Sequence, residues 1–163
     1  MAYTPSLIAN ALLVKARQER KPLTHMGLQK LVYFVHCWAL TLGKSGYSSE
    51  DPQPWEYGPL FESLYYRLVA RGDRHVKDLL EIFDAKSGER RYLVPSSEDD
   101  EFYGVLDQVW KEYGRFSALE LSAMAHAAGS PWAQARVAKL GIIPHEMIVE
   151  FFSRLVQETS RAA

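Results

Sequence analysis

From Leu28 to Leu42 the chain places Leu28, Leu31, Val32, Phe34, Val35, Trp38 and Leu42 around nearly the whole circumference of a helix. A helix that is apolar all round must be enclosed, either by other helices or by lipid. The most apolar run, Leu31 to Leu42, is only 12 residues long and contains His36 and Thr41. A membrane span needs about 20. The reading is therefore a buried central helix in a soluble, cytoplasmic protein, capped by Thr24 and stopped by Gly43. No basic segment precedes the apolar residues of the N-terminus, so no signal peptide is expected.

The rest of the sequence supplies the enclosing elements. Thr4-Pro5 starts a helix carrying Leu7, Ala11 and Val14, which ends at Arg20-Lys21-Pro22. A Gly- and Pro-rich loop, residues 43–55, follows the central helix. Gly58 and Pro59 read as the start of a third helix, with Leu60, Leu64 and Leu68 on one face, Phe61 and Tyr65 beside it, and Gly72 at its end. Residues 74–95 fit either a helix or a hairpin pairing Ile82-Phe83 with Tyr92-Leu93-Val94. Ser96 or Ser97 opens a helix with Phe102, Val105, Leu106, Val109, Trp110 and Tyr113 on its buried stripe. Ser117 and Glu120 form a capping box, and Ser130-Pro131 starts a helix ending at Gly141. Pro144 opens the last helix, with Met147, Ile148, Phe151, Phe152, Leu155 and Val156 on one stripe. The expected fold is mainly α: one compact domain, residues 1–163, of about seven helices around the buried helix. A short β-hairpin near residues 80–94 stays open as an alternative.

A chain of this length buries roughly two-thirds of its surface on folding, so no staple is needed to hold it. Cys37 is the only cysteine, which excludes an internal disulfide and zinc spacings such as C-x-x-C. The formal net charge is −1, unlike the basic excess of a general nucleic-acid binder. The charge is uneven, however. Residues 1–44 hold Lys15, Arg17, Arg20, Lys21, Lys30 and Lys44 against Glu19 alone, for +5. This reads as a solvated face or as a basic patch for an acidic partner.

His25, His36, His75, His126 and His145 form no H-E-x-x-H and no local pair with a carboxylate at ligand spacing. His36 and Cys37 are adjacent, so on a helix they point about 100° apart and cannot act on each other; both read as core residues. Phosphate-binding and dinucleotide-binding glycine motifs are absent, as is G-x-S-x-G. No catalytic, cofactor or metal site is expected. The conspicuous chemistry is aromatic, in Trp55-Glu56-Tyr57-Gly58-Pro59 and Ser130-Pro131-Trp132. Such rings serve as core plugs or as interface anchors.

Four blocks, in order, resemble the Panacea antitoxin domain family, which includes SocA-type antitoxins and GepA-like phage-associated proteins. The first is Leu28-Gln29-Lys30-Leu31-Val32-Tyr33-Phe34 with Trp38, and the second is Trp55-Glu56-Tyr57-Gly58-Pro59-Leu60 with Tyr65. The third is Val109-Trp110-Lys111-Glu112-Tyr113-Gly114 with Ser117 and Leu121, and the fourth is His126 with Pro131-Trp132. Ala125 stands where the family pattern has Thr, and Leu60 where it has Val. The resemblance implies an antitoxin that neutralises a toxin from a neighbouring gene by direct binding. Its variants are an adaptor that hands the toxin to a cytosolic protease and a phage or mobile-element protein that binds a host protein. Neither an enzyme, a membrane partner nor operator binding is expected, and nucleic acid is disfavoured as a partner. Leu28, Gln29, Lys30, Leu31, Tyr33, Phe34, Trp38, Gly58, Pro59, Trp110 and Pro131 read as the architectural motif. Gln29 and Lys30 face the less buried side of the central helix, or Gln29 satisfies nearby backbone groups. The candidate partner-binding residues are Trp55, Glu56, Tyr57, Phe61, Tyr65, His126 and Trp132. On a helix continuing from Gly58, Tyr57, Phe61 and Tyr65 would share an exposed face.

Overall fold

Everything in the molecule is arranged around one helix. In the computed structural model, which describes residues 1–162 and the side chains through Arg161, α1 (Pro5–Gln18) leads into that helix, α2 (His25–Leu42). A hairpin follows, β1 (Gln53–Trp55) and β2 (Gly58–Leu60), then α3 (Glu62–Leu68) with a 3-10 turn over Val69–Arg71. A second hairpin, β3 (Ile82–Asp84) and β4 (Glu89–Arg91), precedes α4 (Asp100–Tyr113), α5 (Ala118–Ala125), α6 (Pro131–Val137) and α7 (His145–Ala162). Seven α-helices and two small antiparallel hairpins make up the described residues, so the chain is mainly α. No helix among them is long and apolar enough to cross a membrane.

Helices α1, α4, α5 and α7 all pack on α2. From Gly27 to Ala39 every residue of α2 is buried, as an all-round apolar surface requires. Phe34 stacks flat on Tyr113 with ring centroids 4.1 Å apart and meets Tyr33 and Phe152 edge-on. Trp38 Nε1 donates to the Tyr113 hydroxyl at 3.1 Å. The helix starts follow the sequence: the side chains of Thr4, Thr24 and Ser130 each accept an N–H from the first turn. Ser117 and Glu120 complete both halves of the capping box.

Four boundaries differ from expectation. Helix α4 is opened not by Ser96 or Ser97 but by Asp99, whose carboxylate accepts from Phe102 N at 3.0 Å, so the helix starts at Asp100. Gly58-Pro59 does not open a helix. The two residues lie in β2, closed by a two-residue turn at Glu56-Tyr57, and α3 begins only at Glu62. Pro54 faces Pro59 across the ribbon; two residues without N–H groups are accommodated together only at a non-hydrogen-bonded pair. In the second hairpin β4 is Glu89–Arg91 rather than Tyr92–Val94. Asp84 accepts from Lys86 N and Ser87 Oγ and closes the turn early, while Leu93 is drawn out of the ribbon because its carbonyl accepts from Asn10. The buried Asn10 amide also donates to Leu80 O and accepts from Leu80 N, so one side chain clamps both ends of the hairpin. Finally, α6 stops at Val137 because Lys139 adopts a left-handed φ of 56° and Leu140 N bonds back to Ala135 O.

Candidate protein-binding surface

A ribbon with three residues per strand does not hold itself together in water. Here side chains from three helices fix it by bonding its backbone. The Gln29 amide clamps Phe61, donating from Nε2 to its carbonyl at 3.1 Å and accepting its N–H at 3.0 Å. Lys30 Nζ donates to Pro59 O at 2.9 Å. Ser122 Oγ donates to Tyr57 O and accepts from His126 Nδ1 at 3.3 Å. Trp132 Nε1 donates to Trp55 O at 2.6 Å, and Arg136 donates to Pro54 O. Gln29 is thus the backbone-satisfying residue of the two alternatives read from the sequence. The placement of Lys30 on a less buried side is corrected: it is 2% exposed, beneath the hairpin.

Burial of Lys30 without a carboxylate contact pushes its pKa down to about 8. It also explains Gly58, which has a φ of 119° and whose Cβ would sit 3.2 Å from Lys30 Nζ. A side chain there would be strained in the backbone and crowded against a buried cation. For Gln29, replacement by Leu leaves the Phe61 N–H and carbonyl unpaired in the core. The expected loss is about 2–4 kcal/mol, read from urea denaturation; a loss below about 1 kcal/mol would mean that the ribbon finds other partners.

The structure gathers six of the seven candidate partner-binding residues at this end of the molecule. Trp55 and Tyr65 pack with centroids 4.8 Å apart, and His25 lies 5.5 Å from Tyr65. His126 tilts against Trp132 at 5.4 Å, and the Arg136 guanidinium lies over the Trp132 ring, 5.5 Å from its centroid. Glu56 is exposed, and Tyr57 at the tip is 73% exposed. Leu119 on α5, 81% exposed and one turn before Ser122, adds an apolar group that the sequence reading did not single out. Phe61 is the correction. It is fully buried, edge-on to His36 at 5.6 Å, and the helical stripe Tyr57–Phe61–Tyr65 does not exist because the first two lie on the ribbon and its end. The motif residues Leu28, Leu31, Tyr33, Phe34, Trp38, Trp110 and Pro131 are all buried.

One pairing is invisible locally in the sequence. His145 Nε2 comes within 3.2 Å of Asp51 Oδ1, 94 positions away in number, and its ring stands 5.6 Å from His36. The pair sits at half-exposed side chains, and a depression of about 970 Å3 lies elsewhere, against Trp38, Leu42 and Val105. Among the described residues no group of three or more His, Cys, Asp or Glu is placed to hold a metal ion. Cys37 is buried, and burial pushes its thiol pKa well up, away from a reactive thiolate.

The blocks that build this surface are also where the chain matches known proteins. Antitoxin SocA of Caulobacter vibrioides (strain NA1000 / CB15N) is 31% identical over 125 residues, which is 77% of this chain and 66% of that protein, just under two thirds of its length. No solved structure matches. The family described as "Antitoxin SocA-like, Panacea domain" matches residues 28–133, from the buried helix α2 through the hairpin it holds to the Trp132 that caps it. The chain belongs to the SocA-like Panacea antitoxin family.

Proposed function

We propose that the protein is an antitoxin that neutralises a protein toxin, encoded beside it, by direct contact through the β1–β2 hairpin and the rings around it. The observation that carries this reading is Tyr57. It projects from a turn whose Trp55 and Tyr57 carbonyls are held by side chains of α6 and α5, so a large amphipathic ring is presented on a rigid base. A pre-ordered aromatic group loses little entropy on binding, which is what an interface anchor requires. Glu56, Trp55, Tyr65, His126 and Trp132 lie at the same end of the molecule. The protein acts by binding, in the cytoplasm, and requires no cofactor.

Co-expression with the neighbouring reading frame is expected to rescue growth and to yield a co-purifying complex. Tyr57→Ala should weaken that complex by about 2 kcal/mol, roughly thirtyfold, with the melting temperature unchanged because the ring is exposed. Trp55→Ala should lose stability as well as binding, since it packs on Tyr65. Rescue without any association of the two proteins would sink the direct-contact reading. Rescue that disappears in protease-deficient cells would select the adaptor form.

A further inference from the structure

The N-terminal excess of positive charge disperses in the fold: Lys30 is buried and Lys44 lies beside Glu101 at the far end of α2. Three of its cations, however, join others from a distant segment. Arg17, Arg20 and Lys21 lie at the end of α1, and Arg71, Arg74 and Lys77 follow α3. The two segments are stitched together. Arg17 donates to Lys77 O at 2.9 Å, Val76 N donates to Leu23 O at 2.7 Å, and Thr24 pairs with His75 as an isolated bridge. Two neighbouring depressions, about 340 and 590 Å3, share His75 and Lys77. Among the described residues none of the six cations has a carboxylate within ion-pair distance, 4.0 Å. The chain nonetheless carries more acidic than basic residues, so the lack of partners here is not a shortage of carboxylates.

The shape narrows what fits. The first depression has an apolar floor of Leu13, Ala16, Leu23 and Val76, ringed by Arg17, Arg20, Lys21 and Lys77. A carboxylate-bearing segment with an apolar side chain between its charges would fill both parts. A nucleic-acid backbone offers no such side chain, and the lining includes no Phe, Tyr or Trp on which a base could stack. Asp73 and Asp78 sit among the cations of the second depression and repel carboxylates and phosphates alike, so the charges of the segment fit the first depression, whose lining holds no acidic residue. We propose that this surface, on the seam between the end of α1 and residues 71–78, docks an acidic, apolar-centred segment of a protein partner. It rests on the antitoxin reading only in assigning that segment to the toxin.

The test uses the full chain and a labelled acidic peptide with one central Leu, followed by fluorescence anisotropy. Binding is expected to weaken with salt. It should fall about tenfold or more in Lys21→Glu/Lys77→Glu, whose side chains make no hydrogen bond or ion pair in the fold, with melting unchanged. Replacing the peptide Leu by Ser should also weaken binding. The control Lys86→Glu/Lys111→Glu should bind like the original. Three results overturn the proposal: no measurable peptide binding, equal loss in the control, or tighter binding of a DNA duplex of the same charge than of the peptide. Growth rescue is scored separately. If the original chain fails to rescue, the antitoxin reading fails while the peptide titration still decides the surface.

Discussion

Phe34→Ala is expected to destabilise the protein by about 3–5 kcal/mol, the range for removing a large side chain from a packed core. The ring lies against Tyr113 at an interplanar angle of 4° and touches Tyr33 and Phe152 on its edges, so three elements close around it: α2, α4 and α7. Its removal takes away the transfer free energy of the ring and leaves a void that α2, anchored by Gln29 and Lys30, cannot collapse into. At this chain length each kcal/mol is worth roughly 2–4 °C, so the melting temperature should fall by roughly 10 °C. Phe34→Leu keeps most of the volume and should cost distinctly less. A Phe34→Ala variant that melts within a degree or two of the original would mean that α2 is not the centre of the fold.

The helices were legible because their signals are local. Thr24 bonds Gly27, Ser117 bonds Glu120 and Ser130 bonds Ala133, all within one turn, and the all-round apolar surface of α2 forces its position whatever the connections are. The first hairpin was not legible for the opposite reason. Its strands have three residues each, two of them proline, and show no alternation. Gly58-Pro59 has the composition of a helix start, and what makes it a strand is the set of donors waiting on α2, α5 and α6. Those donors come from residues 29 to 82 positions away in number. The candidate surface inherited that error at one place. Phe61 counts as exposed only if a helix runs through Pro59, and once the ribbon forms it points into the core. Tyr65, His126 and Trp132 came together with Trp55 because each lies against the ribbon that carries it, a meeting that the spacing along the chain does not show.

The same logic explains why the central helix tolerates two polar residues side by side. Gln29 and Lys30 are buried at a point where a ribbon with prolines at 54 and 59 leaves carbonyls that no strand can satisfy. An apolar pair there would pack as well but would leave the ribbon's backbone unpaired, at a cost of about 1–3 kcal/mol per group. The helix therefore serves both as the core and as the template for the surface proposed to meet the toxin. Core and interface changes should be separable only at exposed positions, Glu56 and Tyr57 at the tip and Leu119 on α5.

Acid should destabilise the protein through His36. Ser48 N donates to His36 Nδ1 at 2.8 Å, so the neutral ring accepts there and carries its proton on Nε2. Protonation would place a second hydrogen where the Ser48 N–H already points and would leave an imidazolium between the Phe61 edge and His145. Burial foremost, and His145 after it, push the pKa down from 6.5 to about 3. A histidine whose folded pKa is depressed contributes full stability above its unfolded pKa. That stability is lost as pH falls from about 6.5 toward 3, because the unfolded chain binds the proton first. The difference corresponds to about 4–5 kcal/mol over the whole window. His36→Asn keeps an acceptor for Ser48 N and removes the titration. It should start less stable near pH 7 through lost packing and lose less between pH 6.5 and 4.5. Urea denaturation of both proteins across that range measures the difference, which cancels the carboxylates they share. Parallel pH profiles for the two would show that His36 is free to charge in the folded protein.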